Sequence, residues 1–230
     1  MKYLESFKEL NTFEKILWAV SLTVVTASFL LAPEKDYLSL AASLIGVTAL
    51  IFVSKGHVLG QILTVIFAVF YGIISIVFGY YGEAITYLLM TTPIAVAAII
   101  SWARHPYRDS NEVQVARLTN KQKWVLVIGA FIVTVALYFV LEALGNKNLI
   151  ISTLSVTTSF IASYLTLFRS PYYAIGYSAN DIVLIVLWIL ASIKDTSYIP
   201  MIFCFVMFLV NDLYGFINWS RMKIRQGKED

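Results

Sequence analysis

Eight apolar runs alternate with polar stretches along the chain, at about 15–32, 37–54, 57–79, 82–102, 123–144, 148–168, 172–193 and 198–219. Each is roughly 18–23 residues long, enough for a helix to cross a hydrocarbon core ~30 Å thick. The pattern predicts an all-α integral membrane protein with eight transmembrane helices. Most connections are short turns, such as Pro33-Glu34-Lys35-Asp36 and Gly145-Asn146-Lys147. One is long and polar, from about Ala103 to Gln122, and carries Arg104, Arg108, Arg117 and Lys121. The first run is longer than the apolar core of a signal peptide and is read as a retained helix.

Polar residues inside these runs are costly unless they face a cavity or a partner. In the last run Asn211, Tyr214, Gly215 and Asn218 stand at i, i+3, i+4 and i+7, one face of a helix. This stripe is expected to form one wall of a solute pathway. Tyr173, Tyr177 and Asn180 make a second stripe in the seventh run. Both asparagines fall about eight residues from the same membrane face, ~12 Å deep. Tyr71 and Thr91 add polar groups near the middle of the third and fourth runs, so these two, Asn211, Tyr214, Asn218, Tyr173, Tyr177 and Asn180 are the candidate substrate contacts. Aromatic rings beside amides suit a flat heterocycle bearing hydroxyls. The alternative is that the same groups bond helix to helix. Asp181 and Asp212 are candidate proton carriers, cation ligands or structural acids. Gln61, near one helix end, and Pro93, which removes a backbone bond in mid-helix, are candidates for gating.

Composition agrees: 59% of residues are hydrophobic, 13% are charged and the mean hydropathy is +0.78. These values lie outside the soluble globular range. The net charge of +3 is spread over loops, which argues against nucleic-acid binding. The single Cys204 excludes an internal disulfide and any multi-cysteine metal site. No phosphate loop, His/Cys metal spacing or serine elbow is present, so neither an enzyme nor a cofactor is expected. Of the 17 basic residues only Lys35, Lys147 and Lys194 fall on one side of an eight-span topology. The excess predicts that both termini are cytoplasmic. Trp18, Trp102, Trp124 and Trp219 lie near that side, as an interfacial belt would. His57 and His105 are expected in solvated turns, and Glu83 and Glu142 at the outer interface.

A weak internal repeat aligns Ser43-Leu44-Ile45-Gly46-Val47-Thr48 with Ser152-Thr153-Leu154-Ser155-Val156-Thr157, and Trp102-Ala103-Arg104 with Trp219-Ser220-Arg221. Spans two to four then correspond to spans six to eight, in parallel orientation. The expected layout is an N-terminal segment with an extra helix (1–36), a first three-helix repeat (37–102), a loop and connector helix (103–147), a second repeat (148–221) and a basic tail (222–230).

The chain resembles the PnuC family of bacterial vitamin transporters, best known for nicotinamide riboside. The resemblance rests on Ser54-Lys55-Gly56 opening into the span with Tyr71, on Tyr81-Gly82-Glu83-Ala84, and above all on Asn211-Asp212-Leu213-Tyr214-Gly215-Phe216-Ile217-Asn218-Trp219. It implies a SWEET-like 3+1+3 bundle in the cell membrane. It also implies facilitated diffusion of a vitamin that a cytoplasmic kinase then traps. One departure concerns the substrate. Nicotinamide riboside carriers typically place two Trp residues before an Asn or Asp in the penultimate helix, where this chain has Tyr173 and Tyr177 before Asn180-Asp181. Another nucleoside or deoxynucleoside, thiamine or riboflavin therefore stays open as substrate, as do proton-coupled symport and a homo-oligomeric assembly.

Overall fold

Inside a bilayer a backbone satisfies its N–H and C=O groups only within helices or closed barrels, and this chain takes the helical route. A computed structural model describes residues 6–146 and 148–229, with side chains described to residue 227. Lys2 and Lys147, counted in the charge asymmetry, lie outside the described residues, as does the Lys228 side chain. Among the described residues, eight helices long and apolar enough to cross a membrane run as α1 (Thr12–Leu31), α2 (Tyr37–Ser54), α3 (Val58–Val77), α4 (Tyr81–Ala103), α5 (Asn120–Ala143), α6 (Leu149–Leu167), α7 (Tyr173–Ser192) and α8 (Ile199–Glu229). Their even number puts the first and last described residues on one face of the bundle, the terminal face.

Local chemistry sets the helix ends. Asn11 and Glu14 form a reciprocal cap on α1, and Thr119 and Gln122 do the same for α5. At the end of α2 the chain reverses through Gly56, whose φ of +70° an ordinary side chain rarely adopts. Within α4, Thr86–Thr91 form a π-helical turn just ahead of Pro93. Proline cannot donate to the preceding turn, and the widened turn absorbs that loss.

Helices α2, α3, α7 and α8 meet around Phe67, Tyr71, Trp188, Phe205 and Phe208, which are all buried. Helix α1 lies against α2 and α8, and α5 touches the rest mainly through α6. The outer face of α5 is left apolar and uncovered, with Phe131 and Ile132 exposed. The α2–α3 hairpin closes tightly because residue 60 is glycine: a Cβ there would stand 2.4 Å from the Val53 nitrogen.

The terminal face holds two departures from expectation and a loop that is firmly bonded. Trp102 and Trp219 are only 1% and 0% exposed, so they are not part of an interfacial belt. The Trp102 indole donates to the Thr166 carbonyl at 3.0 Å and the Trp219 indole to the Val53 carbonyl at 2.9 Å, with the rings 5.4 Å apart. His57 is buried rather than solvated, its Nε2 3.2 Å from the Glu9 carboxylate. Burial lowers its pKa, partly offset by that carboxylate. The long loop is tied down along its length. Val113 N donates to Gly56 O, Ala116 N to Arg169 O and Val115 N to the Gln226 side chain. Glu112 pairs with Arg225. The loop thereby stitches the two turns to the extended end of α8.

Replacing Gly60 by Ala is expected to lower the melting temperature markedly, because the new methyl meets backbone rather than a flexible side chain. Gly227→Ala, where nothing lies within 4 Å, is expected to be neutral or to gain up to about 1 kcal/mol from helix propensity. Thermal unfolding in detergent compares the two. Equal effects would mean that the close approach at Gly60 does not limit packing.

Candidate functional site

A narrow cavity lies among α2, α3, α4, α7 and α8, with about 50 Å³ open to water. Gly46 and Ala49 of α2 leave space on one side. Phe67, Tyr87, Tyr177 and Phe208 supply aromatic walls. The polar lining is Gln61, Thr64, Thr91, Asn180, Asp181 and Asp212. Among the described residues no basic side chain lines it.

Asn180 is 2% exposed, and its side-chain oxygen sits 2.9 Å from the Thr158 hydroxyl, 3.0 Å from Ser159 and 3.3 Å from Ser155. The hydroxyls of α6 thus hold the amide by its oxygen and leave the NH2 end for the cavity. Asp181 and Asp212 are both 3% exposed and lie within hydrogen-bonding reach of each other. Asp181 Oδ2 is buried with no partner. Two carboxyls in contact and away from water cannot both stand as bare anions. They need a proton or a cation between them. Tyr177 also reaches the cavity, its hydroxyl 3.2 Å from Ser163.

The structure does not bring the whole α8 stripe to this cavity. Asn211 Nδ2 donates to Ser21 Oγ of α1 at 2.9 Å and to the Met207 carbonyl at 2.7 Å. Tyr214 donates to the buried Glu14 at 2.7 Å, and Asn218 to the Ser54 carbonyl at 2.8 Å. These three residues hold α1 and α2 against α8. Their sequence neighbour Asp212 is the α8 polar group that lines the cavity. Tyr173 lies against Trp219 with its hydroxyl buried and unpartnered, and a Cβ on Gly215 would stand 2.9 Å from that hydroxyl. Tyr71 is buried in the core and accepts from the Trp188 indole at 3.2 Å. Pro93 follows the π-helical turn and is not among the lining residues.

Two features escaped sequence reasoning. Glu83, expected at an interface, is fully buried, with one oxygen 3.4 Å from Ser155 Oγ and the other unpartnered. Glu14 is buried beneath α8, 3.5 Å from Lys55 Nζ. Its position three residues after Asn11 announces a cap but not a tertiary bond. Among the described residues no group of three or more metal-ligating side chains occurs.

Comparison with known proteins gives a consistent result. The sequence model of the family described as Nicotinamide mononucleotide transporter matches residues 36–221. A nicotinamide riboside transporter PnuC from Neisseria mucosa is 27% identical over 224 residues, covering 95% of this chain and 84% of that protein. Its counterpart from Haemophilus influenzae is 22% identical over 212 residues, covering 91% and 90%. The crystal structure of the Vitamin B3 transporter PnuC superimposes with a TM-score of 0.81 at 25% identity, covering 94% of each chain.

The bond between Asn211 and Ser21 has a measurable signature. Asn211→Ala and Ser21→Ala are each expected to cost about 1 kcal/mol or more of stability. The double variant should cost less than their sum, because both remove the same bond. Losses that add fully in thermal unfolding would show that α1 is not held through this pair.

Proposed function

This chain belongs to the nicotinamide mononucleotide transporter family, and on that premise we propose that it is a membrane carrier for a nucleoside-like vitamin, nicotinamide riboside before any other. The observation that carries the choice of substrate is the Asp181–Asp212 pair in a cavity without a basic lining residue. Nicotinamide riboside carries a permanent pyridinium cation, which can serve as the missing counter-charge. Nicotinamide mononucleotide adds a phosphate, whose charge such a lining repels. The same asymmetry makes phosphorylation an effective trap, since a cytoplasmic kinase would turn the substrate into a product that the cavity rejects. Facilitated diffusion then needs no coupled ion.

The roles follow from the geometry. Tyr177, Tyr87 and Phe67 offer ring faces to the nicotinamide, with Tyr177 in place of the absent Trp pair. Asn180, Gln61, Thr64 and Thr91 are placed to bond the carboxamide and ribose hydroxyls. A site for a ligand of this class usually encloses roughly 300 Å³ or more, so the helices must part to admit it. We read residues 37–102 and 148–221 as two repeats that rock about the cavity, with the π-helical turn before Pro93 as a yielding point. Their matched contacts support this reading. Helix α8 packs on α2 as α4 packs on α6, and Gly56 and Arg169 occupy matching left-handed turns. The Lys and Arg excess supports a topology with both termini on the cytoplasmic side of the cell membrane.

Proton-coupled symport is the second reading, favoured by the unpartnered Asp181 oxygen. Uptake into proteoliposomes separates the two. Facilitated diffusion predicts entry of labelled nicotinamide riboside that stops at equal concentrations and is unchanged when the proton gradient is collapsed. Accumulation that vanishes on collapse would establish symport instead. Asn180→Ala is expected to weaken binding by about 1–3 kcal/mol. Unchanged affinity would remove it from the site, and absence of any nucleoside or vitamin uptake would end the proposal.

A further inference from the structure

A second concave site lies away from the central cavity, on the terminal face. A groove of about 560 Å³ opens between the loop after α4, the start of α5, the α6–α7 turn and Lys223 of α8. Arg117, Lys123 and Lys223 line it, and no acidic residue does. Among the described residues none of these three makes an ion pair, although Lys223 Nζ stands 5.7 Å from the centre of the Tyr172 ring. The floor is apolar, formed by Leu126 and Leu165. In the adjoining turn Arg169 leaves Nε and Nη1 buried without an acceptor, and its carbonyl ties that turn to Ala116 in the opposite wall.

Arg117 and Lys123 are exposed and Lys223 is half-buried, so three like charges stand together over an apolar floor, and an anion joining them relieves their mutual repulsion. We propose that this groove is a binding site for an anionic phospholipid of the surrounding membrane. The headgroup phosphate is held by Arg117, Lys123 and Lys223, with Tyr172 and Ser170 at its edge. The acyl chains run down the outer face of α5. That face fits the role: Val127, Ile128 and Phe131 are more than half exposed along it, and Trp124, 68% exposed, directly follows the groove residue Lys123. A free phosphate would use the cations and leave the apolar floor wet, and a zwitterionic headgroup would bring its own ammonium against them. The loop strand that carries Arg117 also bonds both pseudo-equivalent turns, so a lipid here would brace the junction between the two halves.

Native mass spectrometry of the full chain, with phosphatidylglycerol or phosphatidylcholine added, tests the assignment. The unmodified chain is expected to retain one phosphatidylglycerol in preference to phosphatidylcholine, and millimolar inorganic phosphate should not displace it. Neutralising one groove cation, as in Lys223→Gln, is expected to weaken that first binding step about fivefold, and Arg117→Gln/Lys123→Gln/Lys223→Gln should abolish it. The matched variant Lys8→Gln/Lys15→Gln/Arg104→Gln removes equal charge from exposed positions on the same face and should bind normally. If the triple groove variant does not yield folded protein, the single Lys223→Gln carries the comparison. Equal losses in the groove and control variants would reduce the effect to diffuse surface charge and overturn the proposal. Displacement by inorganic phosphate would overturn it as well, leaving an anion site with no lipid specificity.

Discussion

A carboxyl group inside a bilayer has to find a partner, and Asp181 and Asp212 have only each other. Around them the bundle leaves a small polar space rather than closing fully, with Asn180, Gln61, Thr64 and Thr91 turned toward it. Had these positions been apolar, α2, α3, α7 and α8 could pack as an ordinary membrane core. In the proposed function the acid pair instead keeps the interior open to a cation, and the surrounding aromatic rings shape what kind of cation fits. A carrier gains directly from such a site, because the interactions that stabilise the empty protein least are those a substrate can complete.

The remaining polar groups divide by whether they are already satisfied. Asn211, Tyr214 and Asn218 have partners in α1 and α2 and act as fasteners. Trp102 and Trp219 bond at the terminal face, Trp102 to the end of α6 and Trp219 to the end of α2. The long loop adds backbone bonds to both of those ends. One face of the molecule is thus heavily tied, while the cavity lies deeper among aromatic side chains. This distribution suits motion about the tied face, with α4 able to yield at its widened turn.

Much of the architecture was legible in the sequence. Eight apolar runs of spanning length have one physical solution, and the observed helices begin and end within a few residues of the expected bounds, except that α8 runs on to Glu229. Asn180, Tyr177, Thr91 and Asp212 were also legible as polar groups in apolar surroundings. What a stripe cannot reveal is its partner. Asn211 and Asp212 are neighbours with equal claims on a cavity, and only the placement of Ser21 on α1 decides that Asn211 is a fastener. Glu83 and Trp102 misled for a related reason. Position near a helix end suggests an interface, yet packing of α6 against α4 buries both. The α8 helix outlasts its apolar run because Gln226 and Arg225 bond the loop beneath it.

The electrostatic account of the cavity can be tested with two ligands of nearly identical shape. Nicotinamide riboside is a cation, and its reduced dihydropyridine form is neutral. Calorimetric titration of the purified chain with each should show clearly tighter binding of the cation. That preference should shrink in Asp181→Asn and Asp212→Asn. Equal affinity for the two forms, or tighter binding of the neutral one, would contradict the claim that the buried acid pair selects the substrate.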